Sequence, residues 1–191
     1  MKKTIFILIL IVLIIGSFLA IKLTGNTMKE VSDSNKVKLE TSMGDIVIEL
    51  YPSKAPITVA NFKTYVKEGF YDNTIFHRII SGFMVQGGGI DASGEEKETH
   101  APIKLESKNG LSNKKGTVAM ARTNVPDSAT AQFFINVADN TFLDYGTRDE
   151  GYAVFGKVIK GYDIIEKMSK VKTNANDVPT SQIKILKASF V

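Results

Sequence analysis

Phe76 to Gly89 reads Phe-His-Arg-Ile-Ile-Ser-Gly-Phe-Met-Val-Gln-Gly-Gly-Gly. It places one cation, Arg78, inside an otherwise apolar strand, followed by a Ser81-Gly82 turn and a second short strand, Phe83-Met84-Val85-Gln86. Side chains alternate along a strand, so Met84 and Gln86 share a face. If the two strands pair, the Arg78 guanidinium and the Gln86 amide come together beside Phe83 and Met84. An apolar pocket with one oriented donor is how ligand sites are commonly built. The alternative, an arginine at a strand end reaching to water, is left open by this stretch alone.

A second stretch, Gly116 to Phe134, carries the rest of the candidate chemistry. A strand ends at Ala121-Arg122, and a loop with Pro126 and Asp127-Ser128 leads to Gln132-Phe133-Phe134. Gln132 and Phe134 share a face. Phe142-Leu143, flanked by Asn140 and Asp144, is either a core edge or the far wall of the pocket that Arg78 faces.

Other motifs carry less. His77 adjoins Arg78 but points to the opposite face of a strand, and reads as a packed histidine. His100 lies in a polar loop without a partner at metal-ligand spacing. Gly87-Gly88-Gly89 lacks the Lys-Ser/Thr and the helix of a phosphate loop, and reads as close backbone packing. Glu95-Glu96-Lys97-Glu98 reads as a solvated loop. Ser128 has no His-Asp set, which argues against a hydrolase. The chain has no cysteine, which excludes disulfides, thiolate nucleophiles and Cys-based metal sites. No cofactor or metal is expected.

The elements that must position these residues are mostly short strands. Val37–Leu39 and Ile46–Leu50 alternate with polar residues around a Ser42–Asp45 turn, which predicts a hairpin. Pro56 opens and Gly69 closes a helix whose Val59, Phe62 and Val66 form one core-facing stripe. Strands are predicted at Ile75–Ile80, Phe83–Gln86, Ile103–Leu105, Thr117–Ala121, Gln132–Val137 and Ala153–Val158. A short helix fits Tyr162–Met168, with Ile164, Ile165 and Met168 inward, and a last strand fits Gln182–Ala188. Many short strands with few helices imply an antiparallel barrel or sandwich.

The 191 residues suffice for one domain with a real core. The formal net charge is +4, but Lys2, Lys3 and Lys22 flank an apolar segment. Setting those three of the 24 basic residues aside leaves 21 against 20 acidic ones. The remainder therefore has no electrostatic basis for binding nucleic acid. Lys2-Lys3 precede an apolar run, Ile5 to Ile21, whose helix of about 26 Å just crosses a bilayer core. A cleaved signal peptide is the alternative. Phe18-Leu19-Ala20 and Leu23-Thr24-Gly25 each offer only one of the two small residues that cleavage wants. The reading is an uncleaved single-pass anchor at 5–21. Residues 1–4 stay in the cytoplasm, 22–36 form a polar linker reaching roughly 20 Å, and a domain at 37–191 lies outside.

Taken together the motifs resemble those of a known family. Phe76-His77-Arg78-Ile79-Ile80, Phe83-Met84-Val85-Gln86-Gly87-Gly88, Ala119-Met120-Ala121, Gln132-Phe133-Phe134-Ile135 and Val154-Phe155-Gly156-Lys157-Val158 look like a cyclophilin. Their order and spacing agree from about Val37 to Val191. Met-Ala-Arg-Thr and the extended loop 144–151 point to the bacterial and archaeal branch. The resemblance implies a closed eight-stranded antiparallel β-barrel capped by two α-helices, here with an N-terminal hydrophobic helix added. It also implies peptidyl-prolyl cis-trans isomerase activity on proline-containing peptide segments, and a monomer is expected.

Carried over residue by residue, Arg78 matches the family's catalytic arginine, Gln86 the glutamine that holds it, and Phe83 joins them in the catalytic set. Phe83, Met84, Phe134 and Leu143 match the walls of the proline pocket. Gln132 matches a further polar contact, and Ala121 and Arg122 the strand end where the peptide backbone lies. Phe142 stands where many animal cyclophilins have Trp, which puts binding of cyclosporin-type inhibitors in doubt. Tyr152 stands where they have His and keeps a hydrogen-bonding aromatic at the rim.

The chemistry this implies is rotation about an X-Pro amide, whose resonance sets a barrier of about 18–20 kcal/mol. Uncatalysed exchange takes tens of seconds or longer. The twisted transition state loses that resonance, and a catalyst need only favour it over either planar form. A pocket that grips the proline ring and a fixed guanidinium that donates to the proline nitrogen or the rotating carbonyl suffice. Two functions follow: a membrane-tethered isomerase assisting exported proteins, or a proline-peptide-binding chaperone module that turns over little. The complete set of Arg78, Gln86, Phe83, Met84 and Phe134 favours the enzyme.

Overall fold

The computed structural model describes residues 34–191. The anchor at 5–21, the N-terminal hydrophobic helix and nearly all of the linker expected from the sequence lie outside the described residues. Among the described residues, no helix is long and apolar enough to cross a membrane.

The first hairpin forms as its pattern dictates. Strand β1 (Lys36–Thr41) buries Val37, Leu39 and Thr41, and β2 (Gly44–Leu50) buries Ile46, Ile48 and Leu50. Thr41 pairs with Gly44 across the turn, where Gly44 takes a φ of +126° that few other residues adopt. Helix α1 (Pro56–Lys67) starts with proline at its first turn and has no side-chain cap of its own. A distant carboxylate does that work instead: Glu106 accepts from the backbone N–H groups of Ile57 at 3.0 Å and Thr58 at 2.7 Å. These are N–H groups that a helix start leaves without internal partners.

The remaining strands are β3 (Thr74–Ile75), β4 (Arg78–Ile80), β5 (Met84–Gly87), β6 (Thr117–Met120), β7 (Phe133–Asn136), β8 (Val154–Lys160) and β9 (Lys184–Phe190). Helix α2 (Tyr162–Met168) precedes β9. The nine strands of the described residues join one antiparallel sheet in the order β3-β9-β1-β2-β8-β6-β7-β5-β4.

This corrects the expected closed barrel of eight strands. The stretch 75–80 is not one strand, because at Phe76 and His77 the ladder is broken. Before the break, β3 pairs with β9 at one edge; after it, β4 pairs with β5 at the other. Phe76 turns its ring into the core, and its N–H goes to the Ile183 carbonyl at 2.9 Å. The sheet therefore curls until its two edges meet in a single run of chain without a continuous ladder between them. Two smaller corrections follow from hydrogen bonding. The strand expected at Ile103–Leu105 is a single bridge between Ile103 and Ala129, since Leu105 gives its N–H to the Asp127 side chain. The last strand runs to Phe190 rather than stopping at Ala188, because β1 pairs with it as far as Val37–Phe190.

The core fills the inside of the curl. Phe62 of α1 lies 5.6 Å from Phe133 in an edge-on contact and 5.1 Å from Phe155. Tyr71 meets Phe133 edge-on at 5.6 Å and donates its hydroxyl to the Ala131 carbonyl at 2.9 Å. A second, smaller apolar cluster of Met84, Ala119, Phe134, Leu143 and Val154 sits on the opposite face of β5, β6, β7 and β8.

Candidate active site

The smaller cluster is the floor of a pocket of about 370 Å³. Period-2 alternation builds it. In β7, Phe133 and Ile135 point into the core while Phe134 points out; in β5, Val85 points in and Met84 out. Met84, Phe134 and Leu143 supply the buried walls, and Phe83 stacks on Phe142 at 5.6 Å to form the rim. Phe142-Leu143 belongs to a 3₁₀ turn, Thr141–Leu143, and forms the far wall rather than a core edge. Tyr152 meets Phe134 edge-on at 5.6 Å and completes the enclosure with Ala121.

Arg78 stands at one side of this pocket. It pairs with Gln86 across β4 and β5, as the spacing predicts, and both line the cavity. The expected link between them takes a different form. The Gln86 amide donates to Gln132 Oε1 at 2.9 Å. The Arg78 Nε lies 3.5 Å from Asp177 Oδ2 instead. Asp177 is itself placed by its backbone, with a φ of +61° and its carbonyl accepting the Ile79 N–H at 2.8 Å. The Arg78 side chain remains 45 % exposed and lines the pocket.

Arg122 behaves in the opposite way. Its side chain is only 3 % exposed, and its guanidinium donates to the carbonyls of Gly151 and Thr123 and to Asp149 Oδ1, each at 2.9 Å. It also lies 4.7 Å over the Tyr152 ring. Arg122 thus clamps the loop 144–151 to the end of β6 and holds Tyr152 at the rim. Gln132 does not line the main pocket; it lines a neighbouring one of about 180 Å³, together with Gln86, Glu96, Ala121 and Arg122. The glycine run makes room for this edge, since a side chain at Gly88 would meet Phe133 at 2.7 Å and one at Gly89 would meet Gln132.

His77 is half-buried, and its Nδ1 is the one buried side-chain nitrogen or oxygen among the described residues without a hydrogen-bond partner. Burial holds its pKa below the ordinary value near 6.5; Arg78 adds to that, while the Ile75 backbone, Glu96 and Gln132 oppose it. His100 pairs with Glu68 at 2.7 Å on the surface.

Residues the sequence reading missed support the pocket from beneath. Asn113, Asn136 and Asn140 are buried. Asn140 donates to the Phe83 carbonyl at 2.8 Å and to Asn136 Oδ1 at 2.7 Å. Asn113 reaches the carbonyls of Leu143 at 3.2 Å and Tyr152 at 3.3 Å, and Asp144 accepts the Asn113 N–H at 2.7 Å. Buried amides must be paired, and these are paired with the backbone that carries the rim. An Asn ending the apolar run Phe133-Phe134-Ile135-Asn136 was the available signal. Asp177 left none, being distant in sequence from the motifs, and Arg148 lies inside the 144–151 loop, where no strand or helix periodicity tells which way a side chain faces.

A curled antiparallel sheet bearing an apolar pocket on its outer face, with the accessible guanidinium of Arg78 at the edge, defines a peptide-binding β-protein suited to gripping a small ring. Comparison with known proteins narrows this. The family model for cyclophilin type peptidyl-prolyl cis-trans isomerase/CLD matches residues 36–190. A peptidyl-prolyl cis-trans isomerase of Acinetobacter baylyi is 56 % identical over 154 residues, covering 78 % of this chain and 82 % of the relative. Peptidyl-prolyl cis-trans isomerase B of Escherichia coli is 51 % identical over 154 residues, covering 77 % and 94 %. A cyclophilin type isomerase of Cryptosporidium parvum, whose crystal structure was determined in the presence of the dipeptide Ala-Pro, superposes with a TM-score of 0.70 at 27 % identity, covering 82 % of this chain and 98 % of that one. The chain belongs to the cyclophilin family and is a peptidyl-prolyl cis-trans isomerase.

Proposed function

We propose that Arg78 is the catalytic donor and that the proline ring of a client peptide enters the pocket walled by Phe83, Met84, Phe134 and Leu143. The observation that carries this is the contrast within one cavity: an accessible Arg78 fork beside a buried apolar floor. The Cryptosporidium parvum relative, crystallised in the presence of Ala-Pro, supports the same class of ligand. The walls hold the ring equally in planar and twisted forms, so they supply affinity. The Arg78 hydrogen bond strengthens as the amide loses resonance and its nitrogen lone pair returns, so it supplies rate. No proton moves and no covalent bond forms. Gln86 and Gln132 share a hydrogen bond along the edge of the peptide path, and Ala121 lines the strand end where the peptide backbone runs. Asp177 anchors Arg78 from outside the pocket.

The test is exchange NMR on an X-Pro peptide with Arg78→Ala and Arg78→Lys. Removing one preorganised donor costs about 10²–10³ in rate, roughly 3–4 kcal/mol. Peptide affinity should stay within a few fold. The lysine variant should also be slow, because an ammonium cannot reproduce a planar fork. Near-normal turnover by Arg78→Ala would remove the arginine from the mechanism, and a wild-type protein that binds but does not turn over would make it a chaperone module.

We further propose that the isomerase works as a monomer outside the cytoplasm, tethered through residues 5–21, on exported proteins. The support is the apolar run behind Lys2-Lys3 and the poor cleavage site. Membrane fractionation with N-terminal sequencing decides it; a soluble mature protein beginning between residues 20 and 30 refutes the anchor.

A further inference from the structure

We propose that Arg148 makes this pocket selective for peptides with an acidic residue flanking the proline. The proposal rests on the isomerase reading and adds a substrate class to it.

The pocket is lined by three arginines, Arg78, Arg122 and Arg148, and by no carboxylate. They are not equivalent. Arg122 is buried and its guanidinium is committed to Gly151, Thr123 and Asp149. Arg78 has Asp177 as a partial counter-charge at 3.5 Å. Arg148 is exposed and forms no ion pair among the described residues; its guanidinium carbon lies 5.8 Å from the Phe142 ring, at the pocket rim.

Of the three acids nearest Arg148 in sequence, Asp144 and Asp149 are occupied elsewhere, and Glu150 forms no ion pair with it among the described residues. Asp149 accepts from Arg122 and from the Gly151 N–H at 2.7 Å, and Asp144 accepts from Ser112 and Asn113. The segment that presents Arg148 is braced on both sides: Gly146 donates to the Asp149 carbonyl at 3.0 Å, and Thr147 to the Asp144 carbonyl at 3.2 Å. A cation carried on a braced segment, with no counter-ion among the described residues, offers a planar fork that matches a carboxylate at the mouth of a peptide site. A basic residue at the same place meets repulsion. A pair of this kind, partly open to water, is worth about two- to fivefold in affinity.

The experiment compares kcat/KM for matched peptides, Glu-Pro against Gln-Pro and Pro-Glu against Pro-Gln, at ionic strengths of about 0.01 M and 1 M, where the screening length falls from about 30 to 3 Å. The wild type should prefer the glutamate peptide of at least one pair by about two- to fivefold at low salt and lose the preference at high salt. R148Q should bring that ratio to one whatever its absolute rate, R148K should retain it in part, and R148E should reverse it. A wild-type ratio of one in both pairs, or an undiminished ratio in R148Q, overturns the proposal. Failure to catalyse any of the four peptides would instead overturn the isomerase reading beneath it.

Discussion

Phe133 and Phe134 are consecutive in β7 and belong to different regions of the molecule. Phe133 is fully buried in the curl, with the rings of Phe62, Tyr71 and Phe76 around it. Phe134 lies on the outer face, in a small cluster with Met84 and Leu143 that opens into the pocket. The inner region is buried and largely aromatic, and none of these rings lines the pocket. The outer one is a thin apolar floor, braced by buried asparagines and rimmed by cations. The difference teaches that one strand can carry stability on one face and function on the other, because its side chains alternate. Substitutions at neighbouring positions should then separate the two.

The strongest way to break this comparison is to truncate both phenylalanines. Phe133→Ala should cost about 3–5 kcal/mol, the usual loss for a large aromatic in a packed core. That is a large fraction of the whole stability of a domain this size. Phe134→Ala should cost less, since one side of its ring already faces the pocket, yet it should weaken peptide binding more than any change of comparable stability in the core. Urea denaturation and peptide titration of the two variants measure both quantities. Equal losses of stability and of affinity in the two variants would erase the distinction between the faces.

A smaller effect sharpens the description of the rim. Phe142 stacks on Phe83 but has no indole N–H to offer a ligand. Cyclosporin-type cyclic peptides should therefore bind weakly, with an acceptor left unpaired at a cost of roughly 1–3 kcal/mol. Phe142→Trp should recover binding by about that amount while leaving the Phe133 side of the sheet and the unfolding midpoint unchanged. Equal inhibitor affinity in the two proteins, by calorimetry, would show that the missing donor is irrelevant.

The inner face and much of the outer one were legible in the sequence, for the same reason. Alternation in Val37–Leu39, Ile46–Leu50 and Phe133–Asn136 encodes which residues point in. The pairing of Arg78 with Gln86 followed from the Ser81-Gly82 turn. Three things were not legible. The break at Phe76 and His77 depends on which distant strand each half meets, and a run of apolar residues reads the same whether or not its ladder changes partner. The partner of Arg78 is Asp177, far along the chain in a left-handed turn; spacing between neighbouring strands pointed to Gln86 instead. Arg122 lies at the expected peptide-binding strand end and lines the pocket. Its side chain serves the 144–151 loop, a contact that only the fold specifies.

The smallest effect separates the two regions by pH. His77 sits beside Arg78 but under the sheet edge, with a buried, unpartnered Nδ1. Burial lowers its pKa below the ordinary value near 6.5, with Arg78 contributing and Ile75, Glu96 and Gln132 partly offsetting it. The sign follows from proton uptake. Below pH about 6.5 the unfolded chain binds a proton at this ring that the folded protein resists, so unfolding is favoured. Stability should therefore be at its full value above that pH and decline as pH falls through it towards the lower folded-state value. His77→Gln should flatten that part of the profile. Turnover, which moves no proton, should stay nearly level from about pH 6 to 8 in both proteins, since His77 only flanks the pocket face. Denaturant midpoints and exchange NMR across that range make the comparison. A turnover profile that bends near pH 6.5 and straightens in His77→Gln would place the histidine in the reaction, and the division between the two faces of the sheet would fail at its closing edge.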